Sequence, residues 1–390
     1  MADATEPFVL SVLRGEAPCF PDESDAGSSD RLLAFARLHG VIALLFSRAS
    51  ADGGIDTWPE DLRAHLGETV RQQALRELIL KTEIRRLLQR FDEAGVRALL
   101  LKGMPLAYSL YAEPYVRTRS DTDILIPEPD VKTADRILVE SGYQGSTAFW
   151  RAHASYQRTY TGQDRTGGSV HIDLHWRLSN TQLFASAFTF DELWASSVQV
   201  APLGPCARAP GPVHALLIAC LHRAVHVAAP YTVDGVPYCE ANRLIWLWDM
   251  HLLAGVLTDG QWSELVALAA EKNVRAICFD ALSTTRERFA TVIPDQVLAA
   301  LRPERRPEPS AAYLHRGLWA RRLLNDLPAL PDWSQRAALV SEWLFPPREH
   351  MFAKYGVRRR WCLPFLYLRR GVAGVYQALL PGSRRKRPED

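Results

Sequence analysis

Asp121 and Asp123, one residue apart, and Asp173 in the stretch HIDLHW are the side chains of this chain best suited to chemistry. Asp121-Thr122-Asp123 opens an apolar run to Ile126 that predicts a strand. Side chains alternate across a strand. Asp121 and Asp123 therefore face one way, and Thr122, Ile124 and Ile126 face the other, toward a core. Adjacent carboxylates repel and raise each other's pKa. A divalent cation relieves the repulsion, and Mg²⁺ prefers such oxygen ligands. Asp173 shares its strand face with His171 and His175. If its strand lies beside the first, three carboxylates converge. Two metals about 4 Å apart can then activate an attacking oxygen and stabilise a leaving one in phosphoryl transfer.

Lys102-Gly103 follows the apolar run Val96–Leu101 and precedes a predicted helix opening near Pro105. Gly103 would let a phosphate approach the backbone. The helix N-terminus would supply free N–H donors, and Lys102 a point charge. Arg117 and Arg119, in the loop before the first Asp, could reach further phosphate oxygens. Each piece alone is common in turns and on solvated surfaces. The weight lies in their order. The first Asp comes eighteen residues after the Gly, and the third Asp fifty residues after the second.

The elements that must position these residues form a short alternating series. Residues 1 to about 95 read as helical, with the clearest helix over 71–94, where Leu75, Leu78, Ile79, Ile84, Leu87, Leu88 and Phe91 recur at helical spacing. Gly95 suits its end. Strands are expected at 96–101, 121–126, 155–161 and 169–176, with helices at 105–111 and 131–141 and a tight turn at Gly167-Gly168. This is a small α/β or α+β domain. Ala201–Pro212, with four prolines and two glycines, reads as a linker. Helices are expected at 213–228, 241–257, 262–271, 275–290, 310–324, 333–343 and 362–379. The chain thus divides into an N-terminal helical segment (1–95), a catalytic core (96–200) and a C-terminal helical region (213–390).

Composition narrows the class. Apolar residues make up 47% and charged residues 23%, as in soluble globular proteins. The net charge of +2 argues against nucleic acid as a partner. Six cysteines form no CxxC pair, so a zinc ribbon is not expected. The absence of a signal-like N-terminus or a long apolar segment leads us to expect a cytoplasmic protein.

The residues Leu101-Lys102-Gly103, Tyr111, Arg117-Thr118-Arg119-Ser120-Asp121-Thr122-Asp123-Ile124-Leu125-Ile126 and Ile172-Asp173-Leu174-His175-Trp176 resemble the polymerase-beta-like nucleotidyltransferase superfamily. They are most similar to its bacterial group of uncharacterised nucleotidyltransferases. Leu221-His222 through His226, and Arg243 through Asp249, are similar to that group's helical half. Thr118 replaces the usual proline, and Lys-Gly stands where the wider superfamily has Gly-Ser. The resemblance implies an α+β fold, a mixed sheet flanked by helices. It implies Mg²⁺ (or Mn²⁺) held by Asp121, Asp123 and Asp173. It further implies an NTP donor, with ATP expected, bound through Lys102, Gly103, Arg117, Arg119, Ser120 and His175. The acceptor would be a small molecule, sugar, peptide or protein. A water-using NTP hydrolase and an inactive nucleotide-binding scaffold are the alternatives; all three carboxylates are present, which argues against the scaffold.

His222 and His226 share a helix face. Arg223 stands where a zinc protease has Glu, so a cleft-lining or structural role is preferred. Asp249, inside LIWLWDMHLL, is expected to be a buried carboxylate paired with Arg or His. Residues 351–390 hold ten Lys/Arg and two Asp/Glu. A packed helix with solvated Arg is preferred there over membrane contact or RNA, and Arg384–Arg387 reads as a tail.

Overall fold

The computed structural model describes residues 4–20, 27–51, 53–146, 155–227, 231–233, 236–238, 242–304, 308–315, 324–330, 332–346, 348–357 and 359–379. Three helices, α1 (Thr5–Arg14), α2 (Ser28–His39) and α3 (Ile42–Ala51), lead into α4 (Glu60–Glu93). At 34 residues α4 begins eleven residues before the expected start. The helix ends where Gly95 takes φ 73° and Val96 N–H returns to the Phe91 carbonyl at 2.8 Å. Its buried stripe runs through Leu62, Leu66, Val70, Glu77, Ile84, Leu88 and Phe91. Leu75 and Leu78, expected on the core face, are instead 63% exposed. At 3.6 residues per turn the stripe keeps to one face of the helix, and both leucines lie off it, Leu75 nearly opposite.

The alternating series then appears as β1 (Leu99–Leu101), α5 (Gly103–Ser109), β2 (Thr122–Leu125), α6 (Val131–Glu140), β3 (Gln144–Gly145), β4 (Gln157–Gln163) and β5 (Ser169–His175). The strands form one mixed sheet in the order β1-β2-β5-β4-β3. Only β2 and β5 are parallel. The fold is α+β, as expected. Alternation along the strands separates two cores. Leu100, Ile124, Ile126, Ile172 and Leu174 pack with α6 and the C-terminal half of α4. Leu99, Leu101 and Leu125 pack with the N-terminal helices and the helices that follow the sheet.

Those later elements are α7 (Gln182–Ala185), α8 (Phe190–Ala195), β6 (Val198–Gln199), β7 (Arg208–Ala209), α9 (Pro212–Val225), β8 (Tyr231–Val233), β9 (Val236–Tyr238), α10 (Leu244–Val256), α11 (Asp259–Glu271), α12 (Arg275–Phe289) and α13 (Asp295–Leu301). The stretch expected as a linker is packed structure: β7 pairs with β6, and Leu203, Ala207 and Ala209 are buried beside the sheet. Its apolar residues outweigh the proline signal. A single core cluster joins α1–α3 to α9–α13. Farther on lie helices Trp333–Leu344, Arg348–Tyr355 and Leu363–Leu379. The helix expected at 310–324 is a 3-10 turn over Pro309–Leu314, and 316–323 fall outside the described residues. Phe365, Leu368 and Val372 of the last helix are exposed rather than packed. Arg384–Arg387 lie outside the described residues. Among the described residues, no single helix is long and apolar enough to cross a membrane.

Candidate active site

Parallel pairing of β2 with β5 sets Asp123 directly opposite Asp173, and antiparallel pairing of β1 sets Leu101 opposite Asp123. Register neighbours point to the same side. The carboxylates therefore rise from the sheet face that also carries Leu101 and Leu125, the face toward the helical half. One oxygen of Asp123, one of Asp173 and a ring nitrogen of His175 lie within 4.8 Å of one another. This tight set differs by one member from the three carboxylates expected: His175 belongs to it and Asp121 does not. Asp121 stands just before β2, at the surface.

Lys102 donates from Nζ to Asp123 Oδ1 at 2.5 Å, and His175 Nε2 meets the same oxygen at 2.9 Å. Burial would raise the Asp123 pKa, but the Lys102 charge and the His175 hydrogen bond hold it well below the usual carboxylate range. Burial likewise opposes the charge on Lys102, and Asp123 restores it, keeping the ammonium pKa raised. Asp121 behaves oppositely. Its carboxyl is pushed up to about 6, first by surrounding protein and then by the negative charge of Asp123, with Lys102 pulling the other way. The side chain keeps a face in solvent, so repulsion is the more dependable of the two causes. Asp173 Oδ1 and His175 Nδ1 are buried without a hydrogen-bond partner. An orphaned buried polar atom costs stability, and the Asp173 oxygen is free to accept a ligand atom.

The residues expected to hold phosphate separate into two groups. Lys102 and His175 sit on Asp123, and Ser120 is exposed beside Asp121. Arg117 and Gly103 instead meet each other. A Cβ on Gly103 would lie 3.1 Å from the Arg117 guanidinium, so the missing side chain makes room for arginine rather than phosphate. The guanidinium is committed to Asp249: Nε donates at 2.8 Å to Oδ1, Nη2 donates at 2.7 Å to Oδ2, and Nη1 donates to the Thr118 carbonyl. Tyr111 donates to Asp249 Oδ1 at 2.7 Å. Asp249 is thus the buried carboxylate paired with Arg that its apolar context suggested.

Arg119 donates from Nη2 to Glu77 Oε1 at 2.5 Å, and Tyr108 donates to the same oxygen. Gln73 holds the loop between them by donating to the Tyr115 carbonyl and Thr118 Oγ1. These α4 residues were missed. A readable signal existed for Glu77, a carboxylate seven residues from both Val70 and Ile84 on the buried stripe.

Arg243 was also missed as a site residue. Its guanidinium covers the rings of Tyr231 and Trp246 at 5.1 and 5.7 Å. Its Nε donates to the Leu38 carbonyl at 2.9 Å. Burial lowers its pKa, and Asp121 and Asp249 are near enough to oppose that. His222 and His226 contact each other and Trp246 (ring centroids 4.7 to 4.8 Å). Among the described residues they join no metal-ligating group of three.

A small mixed sheet thus sets two carboxylates side by side on parallel strands, with Lys102 bonded to the first of them. The family model described as uncharacterised nucleotidyltransferase matches residues 25–290, more than half of the chain, and the chain belongs to that family. No curated protein matches it.

Proposed function

We propose that the chain transfers a nucleoside monophosphate from an NTP, with ATP the expected donor, to a hydroxyl or phosphate oxygen of an acceptor. The observation that carries this reading is the Asp123–Asp173 register pair with its buried, unbonded Asp173 oxygen. The donor set fits Mg²⁺ or Mn²⁺: oxygen ligands from Asp123 and Asp173, with Asp121 close enough to feel both charges. When bound there, the metal would supply Lewis-acid charge to the phosphate oxygens.

The chain's own groups do the rest. Lys102 and His175 fix the Asp123 carboxylate and keep it ionised. Arg243, whose guanidinium lies over the Tyr231 and Trp246 rings and feels the Asp121 charge, would meet phosphate oxygens arriving near Asp121. An acceptor hydroxyl oxygen forms a bond to the α-phosphorus. The bond from that phosphorus to the α–β bridging oxygen breaks, and its electron pair leaves with pyrophosphate. The hydroxyl proton passes to the free oxygen of Asp173.

The test is pyrophosphate release from each of the four ribonucleoside triphosphates with Mg²⁺ and a small-molecule cell extract as acceptor source. Wild type should release pyrophosphate from one of them, and Asp173→Ala should not. Equal release by both would remove Asp173 from the reaction, and orthophosphate release would favour the hydrolase.

A further inference from the structure

Beside the carboxylates, α9 and α10 each turn one stripe into a common cleft. On α9 these are Ala215, Ala219 and His222; on α10 they are Trp246, Asp249 and Leu253. Spacings of three and four place each trio on one helix face. The cleft extends from His222 back to Pro212, ten residues or about 15 Å at the helical rise. Its two ends differ. At the inner end stand Lys102, His222 and the Arg117–Asp249 pair, where Lys102 reaches Asp123. Burial and the Lys102 charge hold the His222 pKa well below the usual imidazole range. Toward Pro212 and Val256 the lining turns to Ile, Leu, Ala and Pro. The small, partly exposed side chains of Ala215 and Ala219 leave the space open.

This chemistry selects its occupant. A triphosphate laid along the cleft would find no countercharge beyond Lys102, because Arg117 is already paired. A nucleobase edge would face aliphatic carbon rather than donors and acceptors. A pocket that is apolar along its length with polar groups at one end fixes a ligand's direction. We propose that this cleft seats the acceptor, and that the acceptor is amphipathic, with a hydroxyl or phosphate head at the Asp123 end and an aliphatic body along α9 and α10. The word acceptor rests on the nucleotidyl-transfer reading; the aliphatic site does not.

The probes are 1-butanol, 1-hexanol and 1-octanol, with glycerol as a control, titrated calorimetrically into the full chain. Each added methylene should tighten binding roughly fourfold in wild type, the factor expected for burying a CH₂, and glycerol should not bind. Ala219→Phe fills the cleft and should flatten the series. Ala215→Leu is a milder filling that should weaken 1-octanol at least tenfold, and it keeps the test alive if the Phe variant does not fold. Mg²⁺–NTP binding should survive both. No chain-length dependence in wild type overturns the proposal, as does a series unchanged in both variants. Loss of NTP binding in the variants would give the cleft to the nucleobase and overturn it as well. A normal alkanol series in a protein that binds no NTP would support the aliphatic site while removing nucleotidyl transfer.

Discussion

Two charged clusters begin within a few residues of each other, at Arg117 and at Asp121, and they handle buried charge in opposite ways. Arg117 and Asp249, whose side chains are 7% and 6% exposed, bond each other in fork geometry, and Tyr111 and Thr118 take up what is left. Asp121, Asp123 and Asp173 have one lysine and one histidine between them, both on the same Asp123 oxygen. Like charges stay close, and Asp173 Oδ1 stays unbonded. The first cluster is satisfied by the fold and ties the sheet to the helical half. The second is left unsatisfied by the described residues around it. Where a sequence spends stability without internal return, function is the expected reason.

Variants should separate the two. Asp123→Asn should lower turnover by roughly 10²–10³, the loss typical of removing one electrostatic stabiliser of the transition state, with a smaller fall in thermal midpoint than Asp249→Ala because Asp121 and Asp173 still face Lys102. Unfolding of that variant would move Asp123 into the scaffold class. Asp249→Ala should do the reverse. It leaves Arg117 buried and unpaired, which costs about 3–5 kcal/mol, and urea denaturation should show the loss. A midpoint like that of wild type would mean that Arg117 finds water or another partner.

The scaffold also makes a pH prediction. His39 accepts the Leu244 N–H on Nδ1 at 3.2 Å, and burial followed by the Arg243 charge lowers its pKa to about 4. The unfolded state therefore binds the proton more readily. Stability should be full above pH 6.5 and fall by about 3 kcal/mol as the pH drops toward 4. His39→Phe should flatten that part of the profile, and an unchanged slope would place the titration elsewhere. The smallest effect expected is at the anionic cluster. Asp121 has a raised pKa, so its ionised form opposes folding above pH 6. Without metal, Asp121→Asn should stabilise the chain at pH 7 by roughly 1 kcal/mol at most, since solvent screens the group. Destabilisation would mean that the carboxylate has a partner.

Much of this contrast was legible in the sequence. Strand alternation set Asp123 apart from the core-facing Ile124, and the apolar residues around Asp173 predicted the strand that pairs with that of Asp123. The family resemblance is met by a match to residues 25–290. What stayed hidden depends on contacts distant in the chain. Arg117 looked like a phosphate ligand because its partner Asp249 lies 132 residues away. Gly103 looked like a phosphate cradle because nothing local says that arginine fills the space above it. His175 read as a nucleotide contact, yet the parallel register turns its Nε2 onto Asp123. The proline-rich stretch 201–212 read as a linker because composition does not reveal the burial of Leu203 and Ala207.

The most direct test of the central claim is calorimetric titration of the four ribonucleoside triphosphates into wild type and Asp121→Ala, with Mg²⁺ and with a chelator. One triphosphate should bind wild type only with Mg²⁺, and the variant should not bind it while folding at least as stably. Equal binding by both proteins, or binding indifferent to Mg²⁺, would contradict the assignment of the unsatisfied carboxylates to metal and nucleotide.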